Sequence, residues 1–395
     1  MKRAILASAV LLVLAAVAFV TAAPLLVRAI VVGDGGAKPS DFDAHASRAA
    51  RELVARALAG LDGSQLFDVH AHVAGSDADG SGCEIDPSMR SWAHPWRRLQ
   101  FTAYLAAARV DDLDRGAAQF ADRLLEVSRG RVGVLAIDRR YGADGEVDRA
   151  GTALYVPNDH VLRLAAEHPD RFVPVVSVHP YRRDALEELD RCAARGARIV
   201  KWLPNSMGID PADPRCDRFY ARMKARGMTL LAHAGDENAL AAGDDELGNP
   251  ARLRRALDAG VRVIVAHCAT LGDHFDEFLR LMEEPRYKEL AYGDLSAVCL
   301  RNRDARALRT LLERTDLHAR LVEGSDWPLP AIRMLTSTRR LASDGFITPA
   351  EREALDEIFR YDPWLFDLVL KRTVRGPHGE RFPDSAFLAP PWLAP

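Results

Sequence analysis

The sequence predicts a parallel (β/α)₈ barrel, and two features of the 395-residue chain support that fold. Short, nearly continuous apolar runs alternate with segments of helical periodicity, as is typical of parallel strands that are covered on both faces. Several of these runs end in His, Lys or Asp, and the catalytic groups of such barrels lie at the carboxyl ends of the strands. An open, doubly wound sheet is the alternative, but no Gly-x-Gly-x-x-Gly motif follows the first strand.

The chain is predicted to have four parts. A hydrophobic segment (1–32) is followed by a linker and helix (33–64), the barrel (65–375) and an extended C-terminal tail (376–395). The predicted strands are Leu66–Val73, Val132–Ile137, Phe172–Val178, Ala197–Val200, Met228–Ala232, Val261–Ala266, Leu290–Leu295 and Ala319–Gly324. The predicted helices are Asp41–Leu61, Leu99–Ser128, Asn158–Glu167, Asp184–Arg195, Arg215–Arg226, Asn249–Ala259, Phe275–Glu284, Asp304–Arg314, Ala331–Leu341, Pro349–Phe359 and Trp364–Lys371.

The N-terminal segment predicts contact with a membrane. Lys2 and Arg3 precede an apolar run from Ala4 to Val27, which carries no charge before Arg28. Such a run is long enough to cross a bilayer, which takes about 20 residues. A cleaved secretory signal is the alternative to a retained anchor, because small-residue triplets within the run resemble cleavage sites. The leading positive charges predict that the globular part lies outside the cytoplasmic membrane, periplasmic or extracellular, or is secreted if the segment is cleaved.

The composition excludes some classes of function. A net charge of −3 and the lack of a Lys/Arg stripe argue against a nucleic-acid partner. The five cysteines are widely spaced and odd in number, so a disulfide framework is not expected. The sequence does not reveal the oligomeric state and allows a homo-oligomer.

The first predicted strand ends in a His-x-His motif. His70 and His72 are two residues apart, so they project from the same face of a strand. Two imidazoles held in this way form half of a zinc-type site. Alone the motif is weak, because polar residues at a strand end also find water or backbone partners.

Further polar side chains follow the other predicted strands. They are His179 after the third strand, Lys201 after the fourth, His233 after the fifth, His267 after the sixth and Asp326 after the eighth. Three imidazoles and one carboxylate leave a zinc-like ion with an open coordination position. Such an ion lowers the pKa of a bound water towards about 7, and a neighbouring His or Asp can then exchange the proton.

This arrangement resembles the amidohydrolase superfamily, in its branch of amidohydrolase-related TIM barrels, over most of the globular part. The matching segments are Asp68-Val69-His70-Ala71-His72, Val200-Lys201, Ala232-His233-Ala234-Gly235, Val265-Ala266-His267 and Glu323-Gly324-Ser325-Asp326-Trp327-Pro328. By resemblance, a divalent metal, with zinc expected, would be held by His70, His72, His233 and Asp326. His267 would orient or deprotonate a water, and Asp326 would also accept a proton.

The role of Lys201 remains open in the resemblance. In binuclear relatives a lysine at this place is carbamylated and bridges two metals, whereas mononuclear relatives, including the aminocarboxymuconate-semialdehyde decarboxylase type, lack the bridge. Lys201 would then bind an anionic group of the substrate. His179 and Arg97 are the other predicted substrate contacts, although a hydrogen-bonded histidine at the barrel rim is an alternative for His179.

Three functions follow from these expectations. The first is a metal-dependent hydrolase that cleaves an amide, ester or lactone-like bond of a small-molecule substrate. The second is a decarboxylase of an unsaturated carboxylic acid on the same site, which arginines in the pocket such as Arg97 or Arg98 would favour. The third is a non-catalytic barrel used for binding, which predicts the loss of ligands that this sequence keeps.

Overall fold

The computed structural model describes residues 19–32, 37–240 and 243–393 of the chain. Eight parallel strands form one sheet whose strand order follows the chain order, which confirms the predicted barrel. The strands are β1 Phe67–His72, β2 Arg131–Leu135, β3 Phe172–Val176, β4 Ile199–Trp202, β5 Thr229–Ala232, β6 Arg262–Val265, β7 Ala291–Asp294 and β8 Leu321–Val322.

Backbone hydrogen bonds bring the last strand back to the first. The Val69 N–H donates to the Glu323 carbonyl at 2.9 Å, and the Asp326 N–H donates to the His70 carbonyl at 2.7 Å. The sheet therefore closes almost completely, and the loop that carries Asp326 lies directly beside the end of β1.

The interior of the barrel is filled by apolar side chains, as expected for a barrel of this size. The buried cluster consists of Phe67, Val69, Leu135, Val175, Ile199, Leu231, Ile264, Ala266, Tyr292 and Val322. A second, larger apolar cluster lies between the strands and the surrounding helices. The polar side chains at the carboxyl ends of the strands adjoin the interior cluster.

Helices connect the strands and cover the outside of the sheet. In chain order they are α1 Phe42–His45, α2 Arg48–Leu58, α3 Pro95–Ala107, α4 Gly116–Val127, α5 Asn158–Glu167, α6 Ala185–Ala194, α7 Pro204–Met207, α8 Asp217–Ala225, α9 Arg254–Asp258, α10 Phe275–Glu283, α11 Ala305–Glu313, α12 Thr338–Ser343, α13 Pro349–Tyr361 and α14 Pro363–Thr373.

The helix predicted over Leu99–Ser128 is wrong, because the chain forms two helices there. Arg109 has a φ of 54°, which a continuous right-handed helix does not allow. In the connection between the two helices, the backbone N–H groups of Asp111 and Asp112 donate hydrogen bonds to the Gln119 side chain of α4 at 3.2 and 3.1 Å. The break lets α3 turn across the carboxyl end of the barrel.

The N-terminal segment is described only in part. Residues 19–32 are helical, whereas the predicted anchor Ala4–Val27 begins in residues 1–18, which lie outside the described residues. Within the described part of the chain, no helix is both long enough and apolar enough to span a bilayer.

The C-terminal tail lies against the amino end of the barrel. The Ala389 N–H donates to the Gln65 carbonyl, just before β1, at 2.8 Å. The Trp392 ring lies 5.2 Å from the Tyr292 ring, and the Arg262 guanidinium lies 4.4 Å from the Trp392 ring centre. The tail therefore covers the interior cluster at the amino end of the barrel, opposite the His and Asp side chains at the carboxyl end.

A buried ionic cluster supports the closure of β8. Lys371 Nζ on α14 donates to Glu323 Oε1 at 2.8 Å, to Asp367 Oδ2 at 2.5 Å and to the Gly324 carbonyl at 2.7 Å. Burial raises the pKa of Glu323 to about 8 and that of Asp367 to about 6. Lys371 is the cation that allows these two carboxyl groups to lie in the core.

We predict that Lys371→Ala lowers the free energy of unfolding by about 3–5 kcal/mol, because two buried carboxyl groups lose their cation. Lys371 acts to lower the pKa of both carboxyl groups, so both pKa values should be higher in the variant than in the parent. The folded variant then binds protons more tightly than the folded parent, and its loss of unfolding free energy should shrink when the pH is lowered from about 8 to about 5. Urea unfolding measures both effects. The exposed Lys288→Ala is the control, and an equal loss in both variants would contradict this account.

Candidate active site

A cavity of about 520 Å³ opens at the carboxyl ends of the strands. Polar groups form its floor: His70, Lys201, His233, His267, Arg303 and Asp326. Its walls are mainly apolar and include Phe101, Leu105, Leu240 and Leu329. A largely apolar pocket with a few converging polar groups is typical of a small-molecule site.

A local irregularity in β1 directs the histidines into this cavity. The register of β1 against β2 shifts between Asp68 and Ala71. Such a shift lets neighbouring residues face the same side of a sheet. Val69 therefore joins the apolar interior while His70, the next residue, contributes to the polar floor.

Asp294 at the end of β7 fixes two of the histidine rings. Its Oδ2 accepts a hydrogen bond from His70 Nδ1 at 2.8 Å, and its Oδ1 accepts from the His267 backbone N–H at 2.8 Å. The Ser296 hydroxyl donates to Asp294 Oδ1 and accepts from His267 Nδ1, the latter at 2.7 Å. Because an ionised carboxylate only accepts, each ring carries its proton on Nδ1 and keeps the lone pair of Nε2.

Three side chains could hold a divalent metal ion. Ligand atoms of His70, His267 and Asp326 all lie within 4.8 Å of one another, and all three residues are buried. Two neutral imidazoles and one carboxylate are suitable ligands for zinc and related ions. The tautomers set through Asp294 leave Nε2 of each ring unprotonated, so the donor set fits a metal site.

The backbone is strained at two of these three residues. His267 has a φ of 57° and Asp326 has a φ of 56°. Residues other than glycine rarely adopt this left-handed conformation, and it concentrates at functional sites. The local sequence does not predict this left-handed conformation.

The electrostatics agree with a metal site. Burial holds the pKa of His267 well below the usual value, so the ring is neutral near pH 7. Burial also acts to raise the pKa of Asp326, but the neighbouring rings of His267, His70 and His72 outweigh it and hold that pKa well below its usual range. The site thus offers the neutral His267 ring beside an ionised carboxylate.

His72 and His233 lie beside this cluster. His72 Nε2 is 3.1 Å from Asp326 Oδ1, and the side chain is 24% exposed. The His233 ring centre lies 5.1 Å from that of His267, but its Nε2 faces the Asp236 carbonyl at 3.2 Å and Glu237 Oε2 at 3.5 Å. Both predicted ligands therefore lie at the cavity, but neither belongs to the cluster of His70, His267 and Asp326.

Lys201 is buried at the centre of the floor. Its Nζ lies 3.1 Å from His70 Nε2, the nitrogen that is available for a metal. Burial lowers the pKa of Lys201 to about 8. Lys201 is therefore not a solvent-exposed residue of the barrel rim.

The two predicted substrate contacts have different surroundings. His179 Nε2 lies 3.1 Å from the Met207 carbonyl, and its Nδ1 accepts from the Tyr181 N–H at 3.2 Å. Both nitrogens thus have backbone partners, and the ring does not line the cavity. Arg97 does line the cavity, near its mouth, where its Nη1 donates to Asp86 Oδ2 at 3.1 Å.

Sequence reasoning missed two functional residues. Asp294 stands at a strand end like the predicted ligands, so its position was a usable signal. Arg303, in the segment after β7, carried no local signal at all. Only the structure shows that this arginine is buried beside the cavity, with no hydrogen-bond partner for its Nε and Nη1 among the described residues.

Comparison with known proteins identifies a family. The amidohydrolase family model matches residues 67–359. A comparison with curated proteins finds no match.

Solved structures give low similarities. An uncharacterized TIM-barrel protein from Bordetella bronchiseptica is 16% identical, with 74% of this chain and 95% of that chain covered and a TM-score of 0.44. A 5-carboxyvanillate decarboxylase from Sphingomonas paucimobilis is 13% identical, with 75% and 99% covered and a TM-score of 0.43. An amidohydrolase 2 from Bifidobacterium longum subsp. infantis is 15% identical, with 75% and 99% covered and a TM-score of 0.39.

We predict that Asp294→Asn weakens metal binding by about 10- to 100-fold, because the amide no longer fixes the His70 and His267 tautomers. Competition with a chromophoric chelator measures the affinity. Asp304→Asn is the control, since Asp304 is an exposed helix cap that tolerates this change. Equal affinities in the two variants and the parent would show that Asp294 does not organise the site.

Proposed function

The chain belongs to the amidohydrolase family, and on that premise we propose that it is a metal-dependent decarboxylase of a small carboxylic acid with an apolar, unsaturated body. The observation that carries this proposal is Arg303, a buried cation of the cavity floor whose Nε and Nη1 have no acceptor among the described residues. Hydrolysis on the same site is the second candidate.

Arg303 is suited to bind a carboxylate of the substrate. Its Nε and Nη1 are buried without a hydrogen-bond partner in the described part of the chain. Burial lowers the pKa of Arg303 to about 10, so the side chain remains charged near neutral pH. In contrast, the buried Lys371 has two carboxyl partners. Nearby carboxylates act on the Arg303 charge through space, namely those of Asp326, Glu237, Asp236 and Asp294. None of them accepts a hydrogen bond from Nε or Nη1. A carboxylate of the substrate would supply the missing acceptor, and arginine matches its geometry.

The walls of the cavity support loss of that carboxylate. Phe101, Leu105, Leu240 and Leu329 surround the floor with apolar surface. When carbon dioxide leaves, a localised carboxylate charge becomes spread over the unsaturated body of the substrate. An apolar, water-poor environment disfavours the localised charge more than the spread charge.

His70, His267 and Asp326 would hold one divalent ion, for which both zinc and manganese suit the donor set. When bound, the ion would supply Lewis-acid polarisation of a substrate oxygen. Lys201 would then contact an anionic group of the substrate, because it lines the cavity beside His70.

The reaction also needs one proton, delivered to the carbon that loses the carboxylate. His72 is placed for this step. Its Nε2 is 3.1 Å from Asp326 Oδ1, and it is partly exposed to the cavity and solvent. His72 would therefore carry a proton between solvent and the reacting carbon.

Hydrolysis of an amide, ester or lactone-like bond is favoured by a different observation. Asp326 lies within 3.9 Å of three imidazoles, those of His70, His72 and His267. This constellation could orient a water and accept its proton. The small-molecule substrate and the polar floor are common to both candidates.

We also propose that the N-terminal run attaches the enzyme to the cytoplasmic membrane, with the barrel on the outer side. The support is the apolar run Ala4–Val27 behind Lys2 and Arg3.

Arg303→Met should weaken the binding of benzoate and cinnamate by about 10- to 100-fold, because a hydrogen bond to a charged group contributes about 1.5–3 kcal/mol. The neutral carboxamides of the same acids should bind equally to variant and parent. Calorimetry on the metal-loaded full chain measures both. The exposed Arg301→Met is the matched control, and Arg303→Lys should recover part of the affinity. Unchanged carboxylate binding in Arg303→Met would contradict the assignment.

Isotope labelling separates the two reactions. Decarboxylation of a carboxyl-labelled acid that binds should release labelled carbon dioxide and, in deuterium oxide, leave deuterium on carbon. Hydrolysis should instead place oxygen from labelled water in the product. Mass spectrometry of gas and product distinguishes the outcomes, and oxygen incorporation without carbon dioxide would reject the decarboxylase proposal.

A further inference from the structure

A belt of exposed apolar side chains borders the mouth of the cavity. The described residues contain eight exposed large hydrophobic side chains, and six of them lie on the helical segment 19–32 or at the start of α3. These six are Phe19 (53% exposed), Val20 (38%), Leu25 (70%), Leu26 (61%), Ile30 (48%) and Trp96 (80%). Exposed apolar surface concentrated in this way marks an interaction surface.

The helical segment 19–32 contacts the loop before α3. The Phe19 ring packs edge-on against the Trp92 ring, with 5.8 Å between the centres. The Arg98 guanidinium lies 4.8 Å from the Trp92 ring centre. Segment 19–32 is therefore attached to the loop that leads into α3, the helix that contributes Trp96 and Phe101 to the cavity.

Segment 19–32 is apolar on both faces. Val27, Val31 and Val32 pack against the protein core, while Leu25, Leu26 and Ile30 are exposed. Arg28 is the single charged residue of the segment. A helix that is apolar all round needs apolar surroundings on every side, which water does not provide.

The charge of the chain before the belt indicates what covers it. The first 32 residues contain Lys2, Arg3 and Arg28 but no Asp or Glu, and Ala4–Ala18 is uncharged throughout. An apolar surface with a few cations and no carboxylates complements a bilayer with anionic headgroups. Trp96 also suits that place, because tryptophan concentrates at membrane interfaces.

We propose that this belt lies in the headgroup region of a lipid bilayer, so that the cavity mouth opens onto the membrane surface. The substrate would then be an amphipathic carboxylate that enters from the lipid, with its apolar body along the walls and its carboxylate directed towards Arg303. Trp96 lines the cavity and belongs to the belt, so it joins the lipid surface to the site. The proposal rests on the membrane attachment proposed above but concerns the orientation of the mouth.

Brominated lipids test this orientation, because bromine quenches only those tryptophans that reach the lipid. The full chain is reconstituted in vesicles of phosphatidylcholine and phosphatidylglycerol, with and without bromine on the acyl chains. We expect clear quenching in the parent and loss of more than half of it in the double variant Trp92→Phe, Trp96→Phe. Trp392→Phe is the control at the opposite end of the barrel and should be quenched like the parent.

Flotation of the same vesicles separates this proposal from membrane attachment itself. A chain that floats with the vesicles but is not quenched would leave attachment standing and overturn the orientation of the mouth. Quenching that persists in the double variant would also overturn it. A chain that does not float would overturn both, whereas metal content and carbon dioxide release test the proposed chemistry independently.

Discussion

The closure of β1 against the segment after β8 is the constraint on which the rest of the site depends. His70 and Asp326 are far apart in sequence, and their meeting requires the last strand to return to the first. Hydrogen bonds to the Asp68 carboxyl group stabilise this junction. Its Oδ1 accepts from the backbone N–H groups of His70 and Ser325 at 3.0 and 2.9 Å, and its Oδ2 accepts from Trp364 Nε1 at 2.9 Å. One buried carboxylate thus ties both edges of the sheet to α14.

Buried carboxyl groups organise the site at three levels. Glu323 and Asp367 share Lys371 under β8, Asp68 joins the edges of the sheet, and Asp294 sets the tautomers of the histidine rings. Each would be costly in an apolar interior without its partners. Because each of them accepts at least one hydrogen bond, the same interior makes these interactions strong and defines the positions of the candidate metal-binding side chains. The stability of the barrel and the geometry of the site therefore have a common origin.

Much of this architecture was predictable from the sequence, because it depends on local patterns. Apolar runs and helical periodicity gave the eight strands, and the rule that catalytic groups stand at strand ends led to His70, Lys201, His267 and Asp326. The grouping of the ligands was not predictable. It depends on the register shift in β1 and on left-handed backbone at two ligands, which arise from tertiary packing. Arg303 was missed for the same reason, since only burial distinguishes it from the exposed arginines of the surface.

The central claim is that His70, His267 and Asp326 bind one divalent ion at the closed seam of the barrel. Anomalous X-ray scattering at the absorption edge of the bound metal, from crystals of the loaded full chain, tests it most directly. The account predicts one anomalous peak within coordination distance of all three residues, about 2.0–2.2 Å for zinc. A peak bound elsewhere, or no peak in a chain saturated with metal, would contradict it.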